Sequence, residues 1–145
     1  MENLDHYRKL ERLYRGAPCN EYYSPEIRIS EGTAEVSIRI LRKMHHGFGG
    51  VHGSVFFKLL DDAAFFAVSS LVRDVHVLTA AFEVRLIKSV SEGVLCAQGK
   101  ITKSSRRLFI AQSVLMNDAN ELVARGSGSF VKSRIALNEE AGYRY

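Results

Sequence analysis

The sequence predicts an α+β fold in which one long central helix is wrapped by a curled antiparallel β-sheet. Two observations support this prediction. Apolar side chains cover most of a helical wheel drawn for residues 54–70, so this helix must be enclosed on nearly every side. From residue 75 onward, segments of alternating apolar and polar residues follow one another with short turns between them, which is typical of antiparallel strands. The sheet is the element available to enclose the helix.

Length and composition indicate one soluble globular domain, because 46% of the 145 residues are hydrophobic and 25% are charged. No apolar run reaches the roughly 20 residues that a membrane span needs. The charged N-terminus lacks the apolar core of a signal peptide. We therefore expect a cytoplasmic protein that does not bind a membrane. Cys19 and Cys96 lack further ligands at metal-binding spacing, so we expect no metal ion, and we expect no cofactor.

The charge of the chain is mildly basic, with a net charge of +4 and an isoelectric point of about 9.2. Polyanionic partners suit this charge, either nucleic acid or a phosphorylated small molecule such as a coenzyme A derivative. Charge that serves only solubility explains it equally well. The basic residues are dispersed and are not interleaved with aromatic residues on the strands, so we expect no nucleic-acid binding.

The elements before the central helix are short. Apolar residues at helical spacing in residues 3–15 predict an amphipathic helix that ends near Gly16. Two alternating runs, PEIRIS and AEVSIRIL, flank a turn at Gly32 and predict a β-hairpin. At the other end of the chain, the last dozen residues lose the alternation. We therefore divide the chain into an N-terminal helix (1–16), one folded domain (17–133) and a mobile C-terminal tail (134–145).

The central helix carries one polar strip, which covers an arc of roughly 100° on the wheel. Its members are Ser54, Lys58, Asp61, Asp62, Phe65 and Ser69. Asp62 follows Lys58 by four residues, so the two can form an ion pair on a solvated face. Two adjacent aspartates are nevertheless unfavourable in mid-helix, and an aromatic residue is out of place on a solvated face. These features favour a functional site.

The segment before the helix, HHGFGGVHG, points to anion stabilisation. Its glycines leave backbone N–H groups accessible at the positive end of the helix dipole, where a developing oxyanion can be held. Gly53 and Asp61 are eight residues apart, or about 12 Å along a helix. A carbonyl group at the Gly53 N–H is therefore out of reach of Asp61 of the same chain. A catalytic site here requires two antiparallel helices across a twofold axis, in a homodimer or a homotetramer.

The stretch HGSVFFKLLDDAA, preceded by HHGFGGV and followed by LTAAFEVRLIKSV, resembles the hotdog-fold acyl-CoA thioesterases of the PaaI-like and 4-hydroxybenzoyl-CoA thioesterase type. In that family a helix acid follows the His of a His-Gly-Gly turn by nine residues. Here the residue nine positions after His52 is Asp61. The resemblance covers about residues 25–132, and it implies a hotdog fold and the hydrolysis of an acyl-CoA thioester to free acid and CoA. It departs from the family at Ser54, which replaces the second Gly, and at Ser89, which replaces a Pro.

The resemblance also implies roles for individual residues. Asp61 would activate water or attack the thioester carbonyl, and the Gly53 N–H of the partner subunit would polarise that carbonyl. His46 matches a polar position near the carbonyl oxygen, and Thr79 matches a Ser or Thr that orients water in some relatives. His52 would lie beside the substrate, where it holds the turn in shape or transfers a proton. The two histidines and Thr79 also fit ordinary loop and strand positions.

Further substrate contacts are expected in the loop, the polar strip and a turn. Ser54 would cap the helix and place a hydroxyl near the oxyanion. Phe48 and Phe65 would form walls of an acyl or aryl pocket. Arg106 and Arg107, in the KSSRR turn, would bind the phosphates of coenzyme A, since Arg suits forked phosphate hydrogen bonds. A charged turn that keeps a sheet edge soluble explains the arginines equally well.

Two other functions stay open. A hotdog-fold acyl-CoA hydratase or dehydratase would use a His with a Glu or Asp after a Pro-Gly turn, and this chain has no such Pro. A non-catalytic acyl-CoA binding module would normally carry an appended DNA-binding domain, for which the N-terminal helix is too short. The spacing from His52 to Asp61 favours the thioesterase.

Overall fold

The computed structural model describes residues 2–145, which form three α-helices, one 3₁₀ helix (Arg42–Met44) and six strands. The helices are α1 (Glu2–Arg15), α2 (Asn20–Tyr23) and α3 (Gly53–Ser69). The strands are β1 (Glu26–Ser30), β2 (Thr33–Arg39), β3 (Val75–Leu86), β4 (Val94–Ser104), β5 (Leu108–Met116) and β6 (Leu122–Ala136). All neighbouring strands are antiparallel, in the order β1-β2-β4-β5-β6-β3. The sheet curls around α3, as the sequence predicts.

The central helix packs against the concave face of the sheet, and its closest approach is at Gly99 of β4. A Cβ atom at Gly99 would lie 2.1 Å from the carbonyl oxygen of Ala63, so the two backbones touch where a side chain would stand. Ala64, the next small residue of α3, is also fully buried. The Ser113 hydroxyl of β5 donates a hydrogen bond of 2.8 Å to the Leu60 carbonyl oxygen. These contacts fix the rotation of α3 about its axis.

The N-terminal helix α1, predicted from its amphipathic spacing, covers the β1 edge of the sheet. The buried carboxylate of Glu11 accepts a hydrogen bond of 3.0 Å from the Ile29 N–H and also pairs with Arg8. An edge strand with unpaired backbone groups can pair with strands of other molecules. In this protein α1 covers the β1 edge, and Glu11 accepts a hydrogen bond from its backbone. The opposite edge, β3, has no neighbour on its outer side within the described protomer.

The C-terminal segment, predicted as a mobile tail, contacts the rest of the fold. Residues 134–136 belong to β6, and the Leu137 N–H donates to the Asp74 carbonyl oxygen at 3.1 Å. The Tyr143 hydroxyl donates to His6 Nδ1 at 2.8 Å. The predicted strand end at residue 133 is therefore three residues early, because β3 continues to pair with β6 as far as residue 136.

The predicted polar strip of α3 needs two corrections. Ser69, predicted to lie on the open face, is buried because His6 of α1 covers it and donates from Nε2 to the Ser69 carbonyl oxygen at 2.9 Å. Phe57, predicted to be covered, is 42% exposed and packs edge-on against Phe82 of β3. Within the part of the chain that the structure covers, none of the helices is long and apolar enough to cross a membrane.

The Gly99 contact generates a stability prediction. Gly99→Ala should lower the free energy of unfolding by about 3 kcal/mol, because the new methyl group displaces the backbone of α3 from the sheet. Gly47→Ala is the matched control, since nothing lies within 4 Å of its Cβ position. Urea unfolding of both variants measures the difference. Equal midpoints would contradict the close packing of helix and sheet.

Candidate active site

Asp61 lies half-buried in the middle of α3 and faces β3. The Thr79 hydroxyl of β3 donates a hydrogen bond of 3.0 Å to Asp61 Oδ1. Burial is the largest of the effects that raise the pKa of Asp61 from an ordinary 3.8 to about 6. The Thr79 hydrogen bond opposes this rise in pKa. The negative charge of Asp62 adds to the rise, and the positive charge of Lys58 opposes it. Near neutral pH this carboxyl can therefore both accept and release a proton.

Asp62 is adjacent in sequence but belongs to a different environment. Its Oδ2 accepts hydrogen bonds from Lys58 Nζ at 2.7 Å and from the Tyr14 hydroxyl of α1 at 2.6 Å. The ion pair that the i,i+4 spacing predicts is therefore present. Consecutive residues of a helix point about 100° apart, so Asp61 faces β3 while Asp62 faces α1. Each acid thus has a partner in another element, Thr79 of β3 for Asp61 and Tyr14 of α1 for Asp62.

The start of α3 leaves one backbone donor free. Ser54 was expected to cap the helix, but the N-cap is His52, whose Nδ1 accepts from the Ser54 N–H at 3.0 Å and lies 2.7 Å from the Ser54 hydroxyl. The Val55 N–H donates to the His52 carbonyl oxygen at 2.9 Å. Among the hydrogen bonds of residues 2–145, the Gly53 N–H has no acceptor, as expected for the first residue of a helix.

Gly53 also leaves room for an incoming group. A Cβ atom at this position would lie 3.2 Å from Leu86 Cδ1 of β3, so a larger residue would crowd the approach to the N–H. On the other side of the turn, a cavity of about 610 Å³ is bordered by His52, Ser54, Lys43, Tyr22 and Tyr23. The last two come from α2, a short helix that the sequence did not reveal. His52 and Ser54, on either side of Gly53, thus both border this cavity.

The glycine-rich loop holds His46 and Phe48 away from Asp61. His46 Nδ1 accepts from the Phe48 N–H at 3.1 Å, and the two ring centroids are 6.2 Å apart. The His46 N–H donates to the Gly50 carbonyl oxygen, which closes the loop. The Phe48 side chain is 100% exposed in the protomer. His46 and Phe48 thus contact each other, and among residues 2–145 no hydrogen bond joins either of them to Asp61 or Gly53.

The remaining predicted residues lie in two different environments. Phe65 packs edge-on against Phe66 and Phe130 and is partly buried in the core. Arg106 and Arg107 are exposed in the turn between β4 and β5. The register places Ser104, just before this turn, in the same row as Thr79 but three strands away, or about 14 Å at the usual strand spacing. The protomer does not bring these arginines to the carboxyl.

Tyr14 is the site residue that the sequence did not identify. Its apolar neighbours in α1 show only that this face packs against another part of the protein, and Asp62 lies 48 positions further along the chain.

Within residues 2–145, no group of three or more His, Cys, Asp or Glu side chains is arranged so that it could bind a metal ion.

Comparison with known proteins identifies relatives of this chain. The profile described as the thioesterase superfamily matches residues 48–124, which is more than half of the chain and includes the glycine-rich segment from Phe48 onward and α3. A curated protein of Saccharolobus solfataricus that carries a provisional esterase name is 22% identical over 112 residues, which span 77% of this chain and 75% of that protein.

Solved structures share the fold. The Escherichia coli PaaI protein, from the phenylacetic acid degradation operon, superposes with a TM-score of 0.85 at 17% identity, and the match covers 94% of this chain and 99% of that protein. A variant of a Staphylococcus aureus thioesterase superposes with a TM-score of 0.76 at 19% identity, over 81% of this chain and 100% of that one. At these identities the likeness establishes the fold alone, and the curled sheet around α3 is a hotdog fold.

The raised pKa of Asp61 generates a prediction for stability. A carboxyl whose pKa is higher in the folded protein favours folding at low pH, and this contribution is lost as the pH rises from 3.8 through about 6. Asp61→Asn should therefore raise the free energy of unfolding at pH 8 by about 1–2 kcal/mol, after allowance for partial exposure, and change it little at pH 4. Denaturant unfolding at both pH values measures this, and an equal effect at both would contradict it.

Proposed function

The chain belongs to the thioesterase superfamily, and from this premise we propose that it hydrolyses an acyl-CoA thioester to the free acid and CoA. The observation that carries the proposal is the pair of groups on α3. A backbone N–H without an acceptor stands at the positive end of the helix, and a half-buried carboxyl stands two turns further along. Thioester hydrolysis needs both a donor for the developing oxyanion and a base or nucleophile.

In the proposed reaction the Gly53 N–H and the Asp61 carboxyl have separate roles. The carbonyl oxygen of the thioester binds at the Gly53 N–H, where the helix dipole also stabilises negative charge. Asp61 either removes a proton from the attacking water or attacks the carbonyl carbon itself. In both routes the C–S bond breaks, the acyl group leaves with an oxygen from water, and the sulfur of CoA takes up a proton. Thr79 holds Oδ1 of Asp61, so Oδ2 is free to point at the water.

We infer that each site is shared by two subunits of a homodimer or homotetramer. Eight residues separate Gly53 from Asp61, about 12 Å along α3, which is too far for both to contact one carbonyl group. The unpaired β3 edge supports this arrangement, because it exposes Leu78 (50%), Leu86 (57%) and Ile87 (52%). A second copy along this edge would cover these apolar side chains and bring the partner's helix close.

The other predicted residues take substrate-binding roles in this proposal. His46 and His52 flank the Gly53 turn, and Ser54 adds a hydroxyl beside it. The exposed ring of Phe48 would close over the acyl group or contact the partner subunit. Phe65, one turn beyond Asp61, would form the inner end of the acyl pocket.

Arg106 and Arg107 are the proposed phosphate contacts of CoA. Both are exposed in a turn, and among residues 2–145 no carboxylate lies within ion-pair distance of either. Such arginines are free to form forked hydrogen bonds to phosphate. In the protomer they lie far from Asp61, so this role requires that the substrate extend along the assembled oligomer.

The first test is free thiol release from short, long and aryl acyl-CoAs. Asp61→Asn should lower kcat/KM by about 10²–10⁴-fold, the usual range for loss of a general base. Asp74→Asn is the matched control and should be neutral, because the side chain of this exposed residue makes, among residues 2–145, only a surface pair with Lys132. Acyl-CoA binding without thiol release would instead favour the binding module, and a hydrated or dehydrated acyl product would favour the hydratase.

The pH dependence provides a second test. With Asp61 as base or nucleophile, kcat/KM should rise with pH through about 6, because only the ionised carboxyl acts. Thr79→Val should move this rise to higher pH, since the lost hydrogen bond stabilised the ionised form. Thr79→Ser should restore it. A rise that stays in place in Thr79→Val would contradict the role of Asp61.

A further inference from the structure

Asp62 is bound by two elements at once. Its Oδ2 accepts from Lys58 Nζ, one turn earlier in α3, and from the Tyr14 hydroxyl of α1. Lys58 Nζ also lies 5.3 Å from the ring centroid of Tyr14 and 4.9 Å from that of Tyr23. The side chains of Lys58 and Asp62 are 15% and 17% exposed, so water screens their charges only in part.

Tyr14 is a rigid donor in this cluster. It is buried, and its ring packs edge-on against Phe66 at 5.0 Å between centroids. Burial and the charge of Asp62 raise the pKa of the Tyr14 hydroxyl, so it keeps its proton throughout the working range of pH. The hydroxyl therefore stays neutral and donates its hydrogen bond to Asp62. It carries no negative charge that could form an ion pair with Lys58.

Two adjacent carboxyl groups in a partly buried site share protons unless their surroundings differ. Here they differ strongly. Asp61 has one neutral donor, the Thr79 hydroxyl, whereas Asp62 has a cationic donor and a phenol on the same oxygen. Both donors bind the same oxygen of Asp62 and hold its side chain on the α1 side of α3.

We propose that Tyr14 and Lys58 anchor the Asp62 carboxylate on the α1 side of α3, and that Asp62 thereby acts as a positioning residue which leaves Asp61 as the carboxyl that exchanges protons. The inference rests on the proposed function of Asp61 and goes beyond it, because it assigns a role to α1 and to the second acid. The hydrogen bonds and the location of Asp62 on the α1 side of α3 carry it. Asp62 does not itself touch the substrate.

The charges around Asp61 predict effects of opposite sign. On its own helix, Asp62 raises the pKa of Asp61 and Lys58 lowers it, while β3 contributes the uncharged Thr79 and α1 contributes the Tyr14 phenol. Removal of Lys58 leaves the negative charge of Asp62 uncompensated. Removal of Asp62 leaves a cation next to Asp61. The two halves of one ion pair should therefore act in opposite directions.

The test is a carbon-13 NMR titration of the Asp61 side-chain carboxyl in the full-length protein. Lys58→Met should raise the pKa of Asp61 by about half a pH unit or more, and Asp62→Asn should lower it by a similar amount. The double variant should return it close to the wild-type value. Shifts of the same sign, or no recovery in the double variant, would overturn the proposal, because a purely structural role predicts neither opposition nor recovery.

Tyr14→Phe tests the contribution of α1, with Tyr7→Phe on the same helix as the matched control. Tyr7 is buried as well, and its hydroxyl takes part in no hydrogen bond among residues 2–145. Without the Tyr14 hydroxyl the Asp62 side chain loses its contact with α1 and is free to move toward Asp61, so the pKa of Asp61 should rise. Tyr7→Phe should leave it unchanged. An unchanged titration in a folded Tyr14→Phe protein would contradict the role of α1.

The titrations test the role of Asp62 and the enzyme assay tests the proposed function, so either hypothesis can fail without the other. If the opposite shifts are present but no acyl-CoA is hydrolysed, the proton assignment holds and the proposed function fails. If hydrolysis depends on Asp61 but neither charge variant moves its pKa or the pH profile of kcat/KM, the assignment to Asp62 fails alone.

Discussion

The candidate site depends above all on the packing of α3 against the concave face of the sheet. At Gly99 the strand carries no side chain, and the helix backbone at Ala63 occupies that space. This contact fixes how α3 is turned about its axis. Because neighbouring helical residues point about 100° apart, the same contact directs Asp61 toward β3 and Asp62 toward α1. Two identical side chains thus acquire different partners from one packing constraint.

The length of α3 sets the second constraint. The free Gly53 N–H and the Asp61 carboxyl stand at different points of one rigid helix, so one protomer cannot apply both to a single carbonyl group. The two edges of the sheet also differ from each other. Glu11 of α1 satisfies the β1 edge from within, whereas the β3 edge, which carries Thr79 beside Asp61, presents apolar side chains without a neighbour. The proposed site and the uncovered edge therefore lie on the same side of the protomer.

Local patterns were sufficient to predict α3, the strands and the ion pair of Asp62 with Lys58, because these depend on residues close in sequence. Contacts between distant segments could not be predicted in this way. The hydrogen bond from Tyr14 to Asp62 and the burial of Ser69 both arise from the docking of α1, which periodicity does not reveal. The cap of α3 was assigned to Ser54 by residue preference, but the extended backbone at His52 makes His52 the cap.

Complementation between subunits tests the shared site most directly. Gly53→Pro removes the N–H donor and also places a Cβ atom 3.2 Å from Leu86 Cδ1, so both changes disable the donor site of that subunit. Proline is tolerated at the first position of a helix, where the preceding His52 already has the extended backbone (φ −62°, ψ 140°) that proline requires. Gly53→Pro and Asp61→Asn should each abolish thioester hydrolysis alone. Hybrid oligomers, isolated by two affinity tags, should recover it, because one of the two sites in a hybrid dimer then has both groups intact. Hybrids that assemble but stay inactive would contradict a site built from two subunits.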